Sequence, residues 1–202
     1  MLRFLIDPAN AITIAGLLFS ALGFHLVLAG SVELGVAAVL WAALADDLDG
    51  IVAARTSNRP PDVARMGKSL DGFADIVYGA VFPAVVLIQL SDASYLSLAA
   101  AMLLLSAGAL RLSYFSNFGL SEDGRFLGVP LFYDVPLLAA FLLARPLIPP
   151  DSFPVIVNMT FVILGCLHVA SIRIPATRGR MYVVTTGLIV AASLLLITGQ
   201  LI

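Results

Sequence analysis

Long apolar segments follow one another along this chain, with only short polar connections between them. A helix that crosses a membrane needs about 20 consecutive, mostly apolar residues. Seven segments approach this length, at about residues 8–29, 31–54, 67–90, 93–117, 127–146, 153–172 and 181–202. Hydrophobic residues make up 60% of the chain and charged residues only 12%. The sequence therefore predicts one domain over residues 1–202, an all-α, polytopic transmembrane helix bundle of about seven spans.

The same composition excludes several classes of function. A soluble domain usually carries about 25% charged residues, so a cytosolic enzyme does not fit. A formal net charge of -2 gives no sign of nucleic-acid binding. The single cysteine, Cys166, has no partner for an internal disulfide, and no cysteine or histidine spacing suggests a zinc site.

Lysine and arginine are distributed unevenly among the connections. If the N-terminus is cytoplasmic and the chain has seven spans, all of its 11 basic residues except Arg145 fall in or near cytoplasmic segments. Glu33, Asp92 and Asp151 fall on the opposite side. Because cytoplasmic loops carry an excess of lysine and arginine, we expect an integral protein of the cell (inner) membrane with its N-terminus inside.

Four aspartates lie at the predicted cytoplasmic ends of the second and third spans. Asp46 and Asp49 are three residues apart, and Asp71 and Asp75 are four apart, so each pair shares one helix face. A carboxylate in a membrane segment is expensive and marks a functional site by default. Oxygen-only ligation suits Mg²⁺ or Mn²⁺, and two metal ions that share carboxylates suit displacement at phosphorus.

The alternative is a solvated acidic turn that caps the two helices. This interpretation suits Asp47, which lies about 100° around the helix from Asp46. It also suits Asp62, which lies in a proline-rich connection. It does not suit the set of four, because carboxylates are rare within membrane segments.

The acidic segments also resemble a known signature. The chain reads Asp46-Asp47-Leu48-Asp49-Gly50-Ile51-Val52-Ala53-Ala54-Arg55 and later Gly67-Lys68-Ser69-Leu70-Asp71-Gly72-Phe73-Ala74-Asp75. The CDP-alcohol phosphatidyltransferase family carries Asp-x-x-Asp-Gly-x-x-Ala-Arg, a spacer, and Gly-x-x-x-Asp-x-x-x-Asp. The arginine is one place late here and the spacer from Thr56 to Met66 is longer than usual, so no role is carried over to Arg55.

The resemblance implies a reaction and a role for each matching position. An alcohol attacks the β-phosphorus of CDP-diacylglycerol, CMP leaves, and a phosphodiester lipid forms. Metal ligands by position are Asp46, Asp49 and Asp71, while Asp75 is the general base and a further ligand. The small residues that make room for the CDP-lipid are Gly50, Ala53 and Gly67. The family also implies two Mg²⁺ or Mn²⁺ ions and a homodimer.

The second half of the chain bears on the acceptor alcohol. Stretches at 108–117, 126–130 and 171–175 are similar to the bacterial and archaeal phosphatidylserine synthases. Serine carries a carboxylate that suits an arginine fork, and Arg111 and Arg125 are the candidates. The run Phe132-Tyr133-Asp134 is more like the phosphatidylcholine synthases, and the quaternary ammonium of choline prefers aromatic faces. Serine is favoured, with choline, inositol phosphate and glycerol phosphate as alternatives.

Other interpretations remain open at this point. The two arginines are also placed to extend their charged heads toward lipid headgroups. A membrane transporter with an acidic cation site is the rival class, because intramembrane carboxylates also mark ion pathways. It predicts carboxylates near the middle of the membrane on several helices. We expect His25 and His168, which lie in apolar runs, to be buried or to bond between helices.

Overall fold

The computed structural model describes residues 1–176 and 179–200. In this part of the chain the structure consists of helices and one pair of short strands. The helices are α1 (Pro8–Leu28), α2 (Val32–Arg55), α3 (Pro61–Ile76), α4 (Phe82–Leu90), α5 (Tyr95–Phe118), α6 (Asp134–Ala144), α7 (Phe153–His168) and α8 (Arg180–Gly199). A π-helical turn, Val77–Val81, joins α3 to α4, so that residues 61–90 form one continuous helix. The helical class is as predicted, and residues 201 and 202 of the last predicted span lie outside the described residues.

Four helices are long and apolar enough to cross a membrane by length and composition. They are Pro8–Leu28, Pro61–Leu90, Tyr95–Phe118 and Arg180–Thr198. Three predicted spans do not meet that description. α2 has 24 residues but carries the aspartates, while α7 has 16 residues and α6 has 11. The chain is thus a helical membrane protein, and the count of seven spans stays a prediction.

The predicted segments 127–146 and 153–172 are wrong at their predicted cytoplasmic ends, because α6 begins only at Asp134 and α7 already ends at His168. Two short strands lie beside these ends. β1 (Arg125–Leu127) pairs antiparallel with β2 (Arg173–Pro175). After β1, Gly128 has a φ of +74°, a conformation that glycine adopts without strain. Pro130 then opens a 3₁₀ turn, Leu131–Tyr133, and α6 follows. The backbone N–H groups of Gly128 and Val129 donate to Ile172 and Leu167 at 2.9 Å and 3.1 Å, which fixes this segment against the end of α7.

Helices α1 and α2 lie in close contact along a line of small residues. A β-carbon on Gly23 would come within 2.9 Å of the Gly35 carbonyl oxygen, and one on Gly35 within 2.8 Å of the Gly23 oxygen. The two backbones therefore touch, as in membrane helix pairs that use small residues at their interface. The core that α2 forms with the other helices contains Leu40, Phe82 and Phe161, all fully buried.

Several ion pairs join segments of the chain that the seven-span prediction places on the same side of the membrane. Arg59 pairs with Asp7 at 2.8 Å, and Arg173 pairs with Asp123 at 3.3 Å, both at the predicted cytoplasmic end. Arg145 pairs with Glu33 at 3.2 Å at the opposite end. Arg145, the one basic residue predicted away from the cytoplasmic side, is therefore paired with an acidic residue at that end. The assignment of one end to the cytoplasm stays a prediction from the charge pattern.

A larger residue at the contact between α1 and α2 should destabilise the protein. We expect Gly23→Ala to force the helices apart at a cost of about 1–3 kcal/mol, which corresponds to a melting temperature roughly 2–12 °C lower. Thermal unfolding of the purified protein in detergent measures this. The control is Gly187→Ala in α8, where a β-carbon meets nothing within 4 Å. An unchanged melting temperature for Gly23→Ala would contradict the close packing.

Candidate active site

Five aspartates gather where the C-terminal half of α2 meets α3. In α2, Asp49 is buried, and Asp46 and Asp47 are partly buried. In α3, Asp71 and Asp75 are also partly buried. The turn between these helices is formed by residues 56–60, and Pro61 begins α3 at a position where its missing N–H costs no hydrogen bond. The structure therefore brings together the four aspartates that the spacing singled out.

A larger cavity of about 500 Å³ opens beside these carboxylates. Its polar wall includes Arg111 and Tyr78, and its apolar wall contains several aromatic side chains. The four aspartates that line it are Asp46, Asp47, Asp71 and Asp75. Asp47, which suited the alternative of a solvated acidic turn, lines the same cavity as Asp46.

A smaller cavity of about 190 Å³ also borders the acidic cluster. Asp49 and Asp71 line it, together with the three small residues predicted for CDP-lipid binding, which are Gly50, Ala53 and Gly67. Asp71 lines both cavities. The acidic cluster thus borders two cavities, with Asp71 in the wall of both.

Two hydroxyl groups hold the carboxylates in place. The Tyr78 hydroxyl lies 3.0 Å from Asp46 Oδ2 and 3.1 Å from Asp75 Oδ1, so it bridges α2 and α3. Tyr78 belongs to the π-helical turn and is 1% exposed. On the other side, the Thr13 hydroxyl of α1 donates to Asp49. Sequence reasoning missed both groups, although Tyr78 follows Asp75 by three residues and so shares its helix face.

The residues present fit a hard divalent cation by their chemistry. Within residues 1–176 and 179–200, no three acidic, histidine or cysteine side chains stand at metal-ligand spacing. Asp46 Oδ1 and Asp47 Oδ2 are, however, buried without a hydrogen-bond partner in that part of the chain. Buried carboxylate oxygens of this kind need a cation or a donor. The assignment of Asp46, Asp49, Asp71 and Asp75 as metal ligands stays a prediction.

The predicted acceptor residues separate into two groups. Arg111 is 7% exposed, and its Cζ lies 5.6 Å from the centre of the Phe126 ring in the larger cavity. Tyr133 lines the same cavity. Arg125 does not, because it lies exposed on β1 with its Nε 3.6 Å from an oxygen of Asp123.

Asp134 also lies away from the cavities, in contact with His168. His168 Nε2 lies 3.1 Å from Asp134 Oδ2, and both side chains are fully buried between α6 and α7. His168 Nδ1 lies 2.8 Å from the carbonyl oxygen of Val129, so Nδ1 carries a proton. The expectation for His168 is confirmed, whereas His25 is exposed. Asp134 therefore lines neither cavity, its Oδ1 has no hydrogen-bond partner in the described residues, and its role in acceptor binding stays a prediction.

An ion pair holds Arg59, which lines the smaller cavity. The guanidinium of Arg59 donates to both carboxylate oxygens of Asp7, at 3.0 Å and 2.8 Å. Burial raises the pKa of Asp7, but the hydrogen bonds from Arg59 and from the backbone N–H of Asn10 outweigh burial and hold the pKa below its ordinary value. Asp7 therefore stays ionised at neutral pH. Sequence reasoning assigned no role to Asp7, Asn10 or Arg59.

Comparison with known proteins gives consistent matches. Residues 7–170 match the family model of the CDP-alcohol phosphatidyltransferases. The chain is 31% identical over 116 residues to an archaetidylserine synthase of Methanothermobacter thermautotrophicus, which covers 56% of this chain and 48% of that protein. It is 30% identical over 138 residues to a CDP-diacylglycerol–serine O-phosphatidyltransferase of Methanocaldococcus jannaschii, which covers 68% and 62%. The chain thus spans about half to three fifths of the length of these relatives.

Removing the bridging hydroxyl of Tyr78 should weaken the acidic cluster. Tyr78→Phe removes the single O–H donor that lies between two carboxylates, and a hydrogen bond to a charged group is worth about 1.5–3 kcal/mol, so we expect a melting temperature roughly 3–12 °C lower. Thermal unfolding in detergent without divalent cations measures the change. The control is Tyr133→Phe, whose hydroxyl makes no hydrogen bond within the described residues. Equal melting temperatures for both variants would argue against the bridge.

Proposed function

Because this chain belongs to the CDP-alcohol phosphatidyltransferase family, we propose that it transfers the phosphatidyl group of CDP-diacylglycerol to L-serine and releases CMP. We place this step of phospholipid synthesis at the cytoplasmic face of the cell (inner) membrane. The homodimer implied by the family resemblance belongs to the same proposal. The two relatives described above are named for the synthesis of serine-linked lipids, which supports this choice of acceptor.

One observation carries the proposal, namely that the acidic cluster borders two cavities. An in-line displacement at phosphorus needs the attacking and leaving oxygens on opposite sides. The smaller cavity, with Gly50, Ala53 and Gly67, is the space proposed for the CMP portion. The larger cavity, with Arg111, is the space proposed for the acceptor. Asp71 lines both and therefore lies beside the reacting phosphorus.

The chain's own residues supply the proton transfer. The serine hydroxyl oxygen forms the new bond to the lipid-side phosphorus, the bond from that phosphorus to CMP breaks, and the hydroxyl proton passes to Asp75. The Tyr78 hydroxyl, 3.1 Å from Asp75 Oδ1, orients this carboxylate. Divalent cations held by Asp46, Asp49 and Asp71 would offset the charge of the diphosphate and of the departing CMP.

The charges around the larger cavity favour serine over choline. Arg111 is a buried cation in the wall, and its Nε has no hydrogen-bond partner in the described residues. A carboxylate on the acceptor would satisfy that group, whereas a quaternary ammonium would be repelled by it. The carboxylate proposed for a choline site, Asp134, is engaged by His168. Phe132 and Tyr133 do line the cavity, and they are the feature that choline would use.

Release of CMP from CDP-diacylglycerol by the purified protein tests the reaction. We expect release that requires Mg²⁺ or Mn²⁺ and serine, with choline, inositol phosphate and glycerol phosphate inactive. Asp71→Asn should lower the rate by at least about 100-fold, since it removes a charge beside the phosphorus. Asp62→Asn is the control, because Asp62 lies on the surface beside Arg3. Full release in the presence of a chelator, or with choline and not serine, would overturn the proposal.

Arg111, in the wall of the larger cavity, should determine the affinity for the acceptor. We expect Arg111→Ala to lower kcat/KM for serine by about 10- to 150-fold, the value of a charge-assisted hydrogen bond. Arg125→Ala is the matched control, because Arg125 carries the same charge but lies exposed outside the cavity. Steady-state kinetics with serine as the varied substrate measures both. Equal effects of the two substitutions would remove Arg111 from the acceptor site.

A further inference from the structure

Arg59 lies in the turn between α2 and α3 and points into the smaller cavity. Its side chain is only 15% exposed. Nε donates to Asp7 Oδ1 at 3.0 Å, and Nη2 donates to Asp7 Oδ2 at 2.8 Å and to Asn10 Oδ1 at 2.7 Å. The guanidinium is therefore held by three hydrogen bonds to the first residues of α1, in one fixed orientation.

The partners of Arg59 are themselves fixed. Asp7 caps α1 by accepting a hydrogen bond from the backbone N–H of Asn10 at 3.0 Å. Asn10 is fully buried and donates from Nδ2 to the carbonyl oxygen of Phe4 at 3.0 Å. The same arrangement requires a glycine at position 67, because a side chain there would overlap these groups. A β-carbon there would come within 2.5 Å of Asn10 Oδ1 and 2.6 Å of Arg59 Nη2.

This arrangement leaves one end of the guanidinium available to a ligand. An arginine has five N–H donors, and the contacts above use the Nε donor and both Nη2 donors. In the part of the chain that the structure describes, the two N–H groups of Nη1 make no hydrogen bond. A guanidinium with a free N–H pair matches the oxygens of a phosphate. Arg55, which the signature singled out, is instead exposed and lines neither cavity.

We propose that Arg59 binds the phosphate of the CMP portion of the CDP-lipid, and that Asp7 and Asn10 position it. The proposal rests on the proposed function, because that function places the CMP portion in the smaller cavity. Besides the divalent cations of the proposed function, a cationic side chain would stabilise a phosphate there, because the carboxylates of Asp49 and Asp71 line the same cavity. Lys68 also lines this cavity, but its Nζ donates to the carbonyl oxygen of Ser116 at 2.7 Å.

Binding of CMP and of cytidine to the detergent-solubilised protein with Mn²⁺, measured by calorimetry, tests the proposal. We expect Arg59→Ala to weaken CMP binding by about 10- to 100-fold and cytidine binding by less than about threefold, because cytidine lacks the phosphate. Asp7→Asn, which keeps an acceptor for Arg59 but removes the charge, should weaken CMP binding by a smaller factor. Arg55→Ala, four residues earlier and exposed, is the control and should bind CMP normally.

Kinetics then separate this proposal from the proposed function. Arg59→Ala should raise KM for CDP-diacylglycerol by a similar factor and leave KM for serine unchanged. If Arg59→Ala does not fold, Arg59→Lys keeps the charge without the fork and should show a smaller loss with the same preference for CMP. Equal losses for CMP and cytidine would overturn the role of Arg59. Wild-type protein that binds CMP but does not release it from CDP-diacylglycerol would overturn the proposed function alone.

Discussion

Five carboxylates that gather where α2 meets α3 impose the strongest physical constraint on this structure. Each carboxylate loses hydration when it is buried, and neighbouring carboxylates repel one another. Polar or positively charged groups from three other elements offset this loss of hydration and this repulsion. These are the Tyr78 hydroxyl on the π-helical turn, the Thr13 hydroxyl on α1, and the nearby cation of Arg111 on α5. Asp46 Oδ1 and Asp47 Oδ2 remain without a hydrogen-bond partner in the described residues, and we propose that divalent cations bind there.

Small residues allow the helices to approach closely enough for these donors to reach the carboxylates. The contact of Gly23 with Gly35 brings α1 against α2. Because the backbones touch, Thr13 near the start of α1 lies within reach of Asp49 on α2. Gly67 allows a similar close approach near the start of α1, because Asn10 and Arg59 fill the space that a side chain at position 67 would need. Packing of small residues therefore determines the electrostatics of the site.

The wall of the larger cavity depends on contacts outside the acidic cluster. His168 holds both Val129 and Asp134, and β1 pairs with β2 beyond them. A β-carbon on Gly128 would overlap the carbonyl oxygen of His168, so only glycine permits this close approach. The segment between β1 and α6 is thus fixed to the end of α7, and it presents Phe132 and Tyr133 to the cavity. The proposed preference for serine rests on the charges that this arrangement exposes to the cavity and on those that it buries.

The sequence by itself determined the helical membrane class, the family and the pairing of the aspartates. Those features depend on composition and on spacings of three and four residues, which a helix converts directly into shared faces. Only the tertiary structure decided that Arg111 lines the cavity and Arg125 does not, that Asp134 faces His168, and that Arg59 lies beside Gly67 while Arg55 points outward. These outcomes depend on the rotation of each helix and on turns at Gly128 and at residues 56–60. The π-helical turn also affects these rotations, because it changes which direction the side chains of α4 face relative to those of α3. Local periodicity carries no information about such rotations, since they are fixed by contacts between residues distant in the chain.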